Sequence, residues 1–367
     1  MKVGVLTSSR ADFGIYLPLL TALKADPYFD LEIIAFGTHL SYYHGHSIDV
    51  IKSYGFEVNH SLETLLLTDS ASAISSAIGL AFIKFGEFWS RYLNHFDLVF
   101  CLGDRYEMYA AVMAGVPFNI PFAHIHGGET TLGAIDNVFR HGITLASKFH
   151  FVSTKHYAHR VAELIESKNN IFYVGALGLD NLSQLKMLSI EEFKERWGVD
   201  LALRTVLTTF HPETVNFEKN ERYTDELIAA INRLDDYQFL ITMPNADTSG
   251  SIVRNKLINE FKNSTRIFLI ENLGPENYFS AMNYCSFLLG NTSSGIIEAA
   301  SFGKYVINIG DRQKGRIANE NVFHTEISSE SIYGAAKKIE NLPPLQRNNI
   351  YYNNGASHNI IKILHTI

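Results

Sequence analysis

The sequence predicts an α/β protein made of two Rossmann-like, doubly wound domains that face a central cleft. Three observations carry this expectation. Short β-branched runs alternate with longer amphipathic stretches, the pattern of parallel strands joined by crossover helices. The pattern restarts after about residue 170. The chain has 367 residues, more than one ordinary core takes and about right for two.

In the first series, Val3 to Leu6, Leu31 to Ala35, Leu98 to Leu102 and Phe122 to Ile125 read as strands. Tyr16 to Lys24 and Ala71 to Leu93 read as helices between them. The second series opens with Phe172 to Val174 and Val206 to Thr209. It continues through Phe239 to Thr242, Arg266 to Leu269, Phe287 to Leu289 and Val306 to Ile309, with helices near Ser189 to Trp197 and Asp225 to Leu234. The expected domains are therefore 1–170 and 171–350, with 351–367 as an apolar C-terminal helix packing back on the first. No low-complexity linker separates them, so a short hinge is expected. Open parallel sheets bind ligands outside the carboxyl ends of their strands, which tells where to look for chemistry.

Composition narrows the function classes. A formal net charge of -7 argues against a general affinity for nucleic acid, which needs a basic face, but allows a small anion held by local cations. Cys101 and Cys285 are the only cysteines and sit in no metal-type spacing, so a reducing compartment without disulfides is expected. The opening MKVGVLTSSRADFG has too short an apolar run for a signal peptide, and no stretch reads as the roughly 20 apolar residues of a membrane helix. A cytoplasmic protein with neither membrane nor nucleic-acid partners is the expectation.

Seven segments follow predicted strands and carry candidate chemistry. Ser8 to Gly14 is a polar turn opening a helix, where free backbone N–H groups, the helix dipole and the Arg10 fork suit an anion; the plain alternative is an ordinary loop with a surface arginine. Gly103-Asp104-Arg105 and His124 to Glu129 end two strands, and Asp136 and Arg140-His141 follow. Several carboxylates and histidines gathered at one sheet edge perturb each other's protonation, as a base acting on a carbon-bound proton requires. The alternatives are Asp104 as a helix cap and His124 as a core histidine. His124 and His126 share a strand face, but no third ligand at a metal spacing accompanies them, so no metal is expected.

In the second half, Phe210 to Thr214 places His211 at a strand end, suited to donating a proton to a phosphate leaving group. Pro244 to Gly250 is the corresponding loop after the next strand. Gly290 to Glu298 is a glycine- and hydroxyl-rich turn opening a helix, a cradle for a diphosphate, with Glu298 one turn on for ribose hydroxyls. Gly310 to Arg316 adds a second cationic turn.

Taken in order, Gly103-Asp104-Arg105, His124 to Glu129, Asp136, the FHPET segment, Gly290 to Glu298 and Gly310 to Arg316 resemble the hydrolysing UDP-N-acetylglucosamine 2-epimerases of bacterial sialic-acid pathways. The resemblance spans Arg10 to about Arg316 and rests on the ordered set more than on any one motif. It implies a glycosyltransferase-B-like fold, no metal or other cofactor, and a reaction that removes the C2 proton, expels UDP to leave a 2-acetamidoglucal, and adds water to release N-acetylmannosamine. It implies that Arg10, His211, Asn245, Thr292, Ser293, Glu298 and Arg312 hold UDP, with Arg105, Leu273, Ser294 and Gly295 completing the substrate site and His39 lining the sugar. It also implies catalytic roles for Asp104 and Asp136, and a homo-oligomer.

Two departures from the family pattern bear on mechanism. Where many members have His-Ile-Glu-Gly-Gly-Glu, this chain has His126 in place of the first glutamate, so His126 or Glu129 takes over from it, and Asp104 or Asp136 also stays open as the group that removes or returns the C2 proton. Asp136-Asn137 stands where others have two aspartates. The run Thr131 to Asp136 also resembles members acting on a 2,4-diacetamido-trideoxy sugar of the legionaminic-acid route, which leaves the sugar's C4 and C6 groups open. A glycosyltransferase on the same scaffold and a non-catalytic nucleotide-sugar sensor are the competing readings. The apolar helix near Ala77 to Trp89 fits either a dimer face or a core helix.

Overall fold

The computed structural model describes residues 1–42, 45–66, 70–132, 135–183, 185–213, 217–244 and 250–367. Its first half alternates β1 (Lys2–Thr7), α1 (Arg10–Ala25), β2 (Asp30–Phe36), α2 (Ile48–Ser53), β3 (His60–Leu62), α3 (Ala71–Arg91), β4 (Leu98–Leu102), α4 (Tyr106–Gly115), β5 (Phe122–Ile125), α5 (Asp136–Ala146), β6 (Phe149–Val152), α6 (Lys155–Leu164) and β7 (Ile171–Tyr173). The strands form one parallel seven-stranded sheet in the order β3-β2-β1-β4-β5-β6-β7.

β1 and β4 are almost continuously buried because helices cover both faces of the sheet. Alternate residues feed two cores. Val3, Val5, Leu98 and Phe100 pack on one side with α1 residues Tyr16 and Leu20. Leu6, Val99 and Cys101 pack on the other with Phe85, Trp89 and Met108. This alternation is why strands without a polar face still hold a single register.

The second half runs through α7 (Ile190–Trp197), β8 (Thr205–Thr209), α8 (Asn220–Arg233), β9 (Gln238–Thr242), α9 (Gly250–Phe261), β10 (Ile267–Ile270), α10 (Gly274–Tyr284), β11 (Phe287–Gly290), α11 (Ser293–Ile297), β12 (Val306–Ile309), β13 (Val322–Thr325), α12 (Ser329–Ile339) and α13 (Ala356–Leu364). Its parallel six-stranded sheet has the order β10-β9-β8-β11-β12-β13. Both sheets are doubly wound. The strand order reverses between β1 and β4 in the first and between β8 and β11 in the second, and such switch points open the crevices that bind ligands.

The chain divides into two compact units, residues 1–129, 136–183 and 351–367 in one and 130–135 with 184–350 in the other. Phe172 to Val174 does not open the second series, as the sequence reading had it. Those residues lie at β7, whose backbone pairs with β6 at the edge of the first sheet. A short strand followed by a polar stretch looks the same in sequence whether it ends one sheet or begins another. β3, β6 and β13, of three, four and four residues, went unrecognised.

The expectation that no segment has the length and hydropathy of a membrane helix is also corrected. By length and composition alone, α3 is long and apolar enough to cross one. Ala77, Ala81, Phe85, Phe88 and Trp89 are nevertheless buried in the protein, and the Trp89 indole N–H donates to the Ala111 carbonyl (2.9 Å). Its other face leaves Phe82 and Ile83 exposed.

The C-terminal helix α13 belongs to the first unit. The Asp180 carboxylate accepts the Ala356 and Ser357 N–H groups (2.9 and 2.7 Å) and the Ser357 hydroxyl (2.6 Å), filling donors that a helix start leaves orphaned. Ile360 and Leu364 then join the α1-side core. Ile360→Ala should destabilise the first unit by about 2–5 kcal/mol, the usual range for such a truncation. Thermal unfolding followed by circular dichroism would show it as an earlier onset, and an unchanged curve would mean that α13 does not hold this unit together.

Candidate active site

At the first switch point, β1 ends in Ser8-Ser9, and α1 is capped by its own side chains. The Ser9 hydroxyl accepts the Asp12 N–H (3.2 Å), and the Asp12 carboxylate accepts the Ser8 N–H (3.0 Å) and hydroxyl (2.6 Å). The Ser8 N–H and hydroxyl are therefore taken by the Asp12 carboxylate, and the Asp12 N–H by Ser9. Arg10 remains on the exposed side of this turn. His39 is fully buried, with Nε2 2.8 Å from the Thr7 hydroxyl and Nδ1 2.8 Å from the Ser47 hydroxyl, so it braces the end of β1. Burial depresses it to about 4.

β4 ends at Gly103-Asp104. Arg105 turns to Glu107 (2.8 Å), a buried carboxylate. Asp104 pairs with Arg140, a guanidinium only 2% exposed, which α5 presents one turn after Asp136. Arg140 also lies 3.7 Å from the Glu129 carboxylate. Glu129 in turn takes His126 Nδ1 (2.7 Å) and the Ser153 hydroxyl (2.9 Å) on its other oxygen. Three segments thus meet through one chain of contacts, Asp104–Arg140–Glu129–His126.

The turn that makes this possible is backbone-strained. His126 has φ 65, a left-handed conformation uncommon outside glycine, and its N–H is tied to the Phe151 carbonyl (3.1 Å). Gly128 follows with φ 77, and a Cβ there would sit 2.9 Å from the Tyr157 carbonyl oxygen.

His124 is the core histidine of the two readings. Its Nε2–H donates to the Gly103 carbonyl (2.8 Å), and Nδ1 lies 3.1 Å from the Thr144 hydroxyl, which also reaches the Arg140 carbonyl at 2.9 Å. Burial depresses it to about 3, so the ring is neutral. It locks the Asp104 turn to the helix carrying Arg140.

At the second switch point, Gly290 lets β11 run against β8, since a Cβ there would fall on the Thr209 carbonyl. Asn291, fully buried, then joins three loops. Its side chain accepts the His211 N–H (2.7 Å) and donates to the His211 carbonyl (2.8 Å). Its own carbonyl accepts Arg312 (3.3 Å) and Gln313 (2.9 Å). Burial and then the Arg312 charge depress His211 to about 3. The His211 ring is therefore neutral here.

Thr292 caps α11, with Ser293 and Ser294 on its first turn and Gly295 against Val306. Glu298 ends this helix half-buried. Tyr278 reaches Ser294 and Thr209 from α10. Leu273 precedes α10 as a buried residue. Glu213 holds the Asp311 N–H (2.9 Å), and the Asn220 side chain clasps both backbone groups of Glu213. Asn245 lies outside the described residues. No cluster of metal-ligand side chains occurs among the described residues.

The matching family model is UDP-N-acetylglucosamine 2-epimerase, and it covers residues 21–365. The chain belongs to the UDP-N-acetylglucosamine 2-epimerase family. It is an enzyme of that type. Among its relatives, the polysialic acid biosynthesis protein P7 of Escherichia coli is 34% identical over 90% of this chain and 84% of that one. The UDP-N,N'-diacetylbacillosamine 2-epimerase (hydrolyzing) of Legionella pneumophila is 32% identical over 100% of this chain and 96% of that one. The crystal structure of UDP-GlcNAc 2-epimerase from Neisseria meningitidis bound to UDP-GlcNAc superposes with a TM-score of 0.84 at 16% identity, covering 100% of both chains, and shares the fold.

Sequence reasoning found most of these segments but not the partners that organise them. Arg140 was noted without a role, although its position four residues after Asp136 puts both on one helix face. Ser153 follows β6, a strand that was not recognised. Asn291 and Glu213 lie inside the Gly290–Glu298 and Phe210–Thr214 motifs, where nothing local marks them as joints between loops.

His39, His124, His150 and His211 all lie below their ordinary value of 6.5 through burial, at about 4, 3, 4 and 3. They are neutral when folded and take up protons on unfolding. Their stabilising contribution is whole above about pH 6.5 and is lost as pH falls toward the folded values. Calorimetric Tm should therefore drop between about pH 7 and 5, before most carboxylates titrate. A flat Tm across that window would contradict neutral burial of these rings.

Proposed function

We propose that this enzyme hydrolyses UDP-N-acetylglucosamine with inversion at C2, releasing N-acetylmannosamine and UDP. What carries the reading is the buried Asp104–Arg140–Glu129–His126 chain in a member of this family, a set of proton-handling groups that simple nucleotide binding does not need. Relatives named as hydrolysing enzymes match over most or all of the chain and support the reaction class.

In this reading the second unit supplies UDP recognition. The Thr292–Gly295 turn and Arg312 meet the diphosphate, Glu298 meets the ribose, and neutral His211 donates a hydrogen bond to the departing phosphate. Preorganised donors aimed at growing charge are usually the largest catalytic contribution. The first unit supplies the proton chemistry. The C2–H bond breaks and its electron pair forms the C1=C2 bond. The C1–O bond breaks with its pair leaving on UDP. Water then adds its oxygen to C1, while C2 regains a proton from the opposite face.

A second substrate has a specific observation behind it. Two of the relatives carry N,N'-diacetylbacillosamine in their names, one matching over this chain's full length. The same chemistry on the UDP-2,4-diacetamido-2,4,6-trideoxy sugar is therefore the alternative.

Both sugars should be offered separately in a coupled assay for UDP release without any acceptor, with NMR of the product. Free N-acetylmannosamine from the first supports the proposal. Turnover of the diacetamido sugar alone moves the substrate and keeps the reaction, and no UDP from either overturns it. Asp104→Asn should lower kcat by about 10²-fold or more while UDP affinity persists, as expected for a group acting in the transition state.

A further inference from the structure

We infer that His126 Nε2 is the base that removes the C2 proton, and that Glu129 is a positioning residue acting through it. The inference rests on the proposed reaction and assigns its proton step. Geometry separates the two candidates. The Glu129 side chain is 2% exposed and its oxygens are engaged by His126, Ser153 and Arg140. A carboxylate so enclosed is poorly placed to meet a substrate carbon. The His126 side chain is 13% exposed and is held at Nδ1 by that carboxylate.

A carboxylate accepting from Nδ1–H fixes the tautomer, which leaves Nε2 with the bare lone pair. The carboxylate also stabilises the imidazolium formed when that lone pair takes a proton. Among the described residues, the charged or titratable groups around the pair include Arg140 and Asp104 and the buried rings of His124 and His150. Both of those rings are neutral, so neither repels the imidazolium at neutral pH.

The strained backbone is consistent with a site function. His126 occupies the left-handed region while its N–H is pinned to Phe151, so the ring is aimed by the fold, not by local preference. In the step itself the proton passes from C2 to Nε2, the C–H pair forms C1=C2, and UDP leaves with the C1–O pair. Inversion needs the returning proton to arrive from the other face, so His126 is assigned the removal alone.

The test begins with wild-type UDP release in the absence of acceptor; its absence would overturn the reaction and the base together. Given wild-type turnover, His126→Gly suits the left-handed backbone and leaves room for a small base. Its kcat should fall by about 10²–10⁴-fold, the usual worth of a general base. Added imidazole should restore part of the loss, with UDP affinity unchanged. Glu129→Gln should lower kcat with KM little changed, and should have no further effect in the His126→Gly background, since a residue acting only through another loses its role with it. If the glycine variant does not fold, His126→Asn, which tolerates the same backbone, should show the same loss. A folded His126→Gly within about tenfold of wild type, a folded His126→Gly without imidazole rescue, or a Glu129→Gln effect equally large in both backgrounds would overturn the assignment.

Discussion

The first unit's chemistry depends on one buried guanidinium. Arg140 sits between Asp104 and Glu129, two carboxylates from different strand ends that would repel each other without it. Removing one partner from such a buried set strands a charge, an effect worth several kcal/mol. Arg140 is fixed in turn through neutral His124, which bonds the Asp104 turn and meets the helix through Thr144. Charge and neutral hydrogen bonds thus close a loop between the end of β4 and α5, and His126 hangs from that loop through Glu129.

The second unit solves a different problem with the same topology. Its switch point welds three loops through the amide of Asn291. An amide suits this because it donates and accepts at once without adding charge beside Arg312. A carboxylate there would have an unmatched oxygen against the His211 carbonyl. The two switch points are therefore alike in topology and unlike in the contacts that hold them, buried charge pairs at one and a neutral amide at the other.

Segments that follow strands were legible because a parallel sheet puts ligand-facing loops at one edge, and motif order then limited the family. Roles within those segments were less legible. Ser8 to Gly14 has the composition of an anion site, yet its Ser8 N–H and hydroxyl go to Asp12, since a carboxylate at the third helical position reaches back to the turn. His39 has the residue type for sugar contact, yet both ring nitrogens lie against hydroxyls from β1 and the loop before α2. A one-dimensional pattern does not say whether a polar group spends its hydrogen bonds inward or outward.

The sequence by itself determined the α/β class, the two series of strands, and the motifs at their carboxyl ends. Those follow from local periodicity and from a loop chemistry that a strand end imposes. Only the tertiary structure decided that β7 closes the first sheet, that Arg140 bridges Asp104 and Glu129, and that His126 is held by a carboxylate. Each of those contacts joins residues distant along the chain or set by a strained turn, and its energy comes from burial and charge pairing that exist only once the sheet has formed.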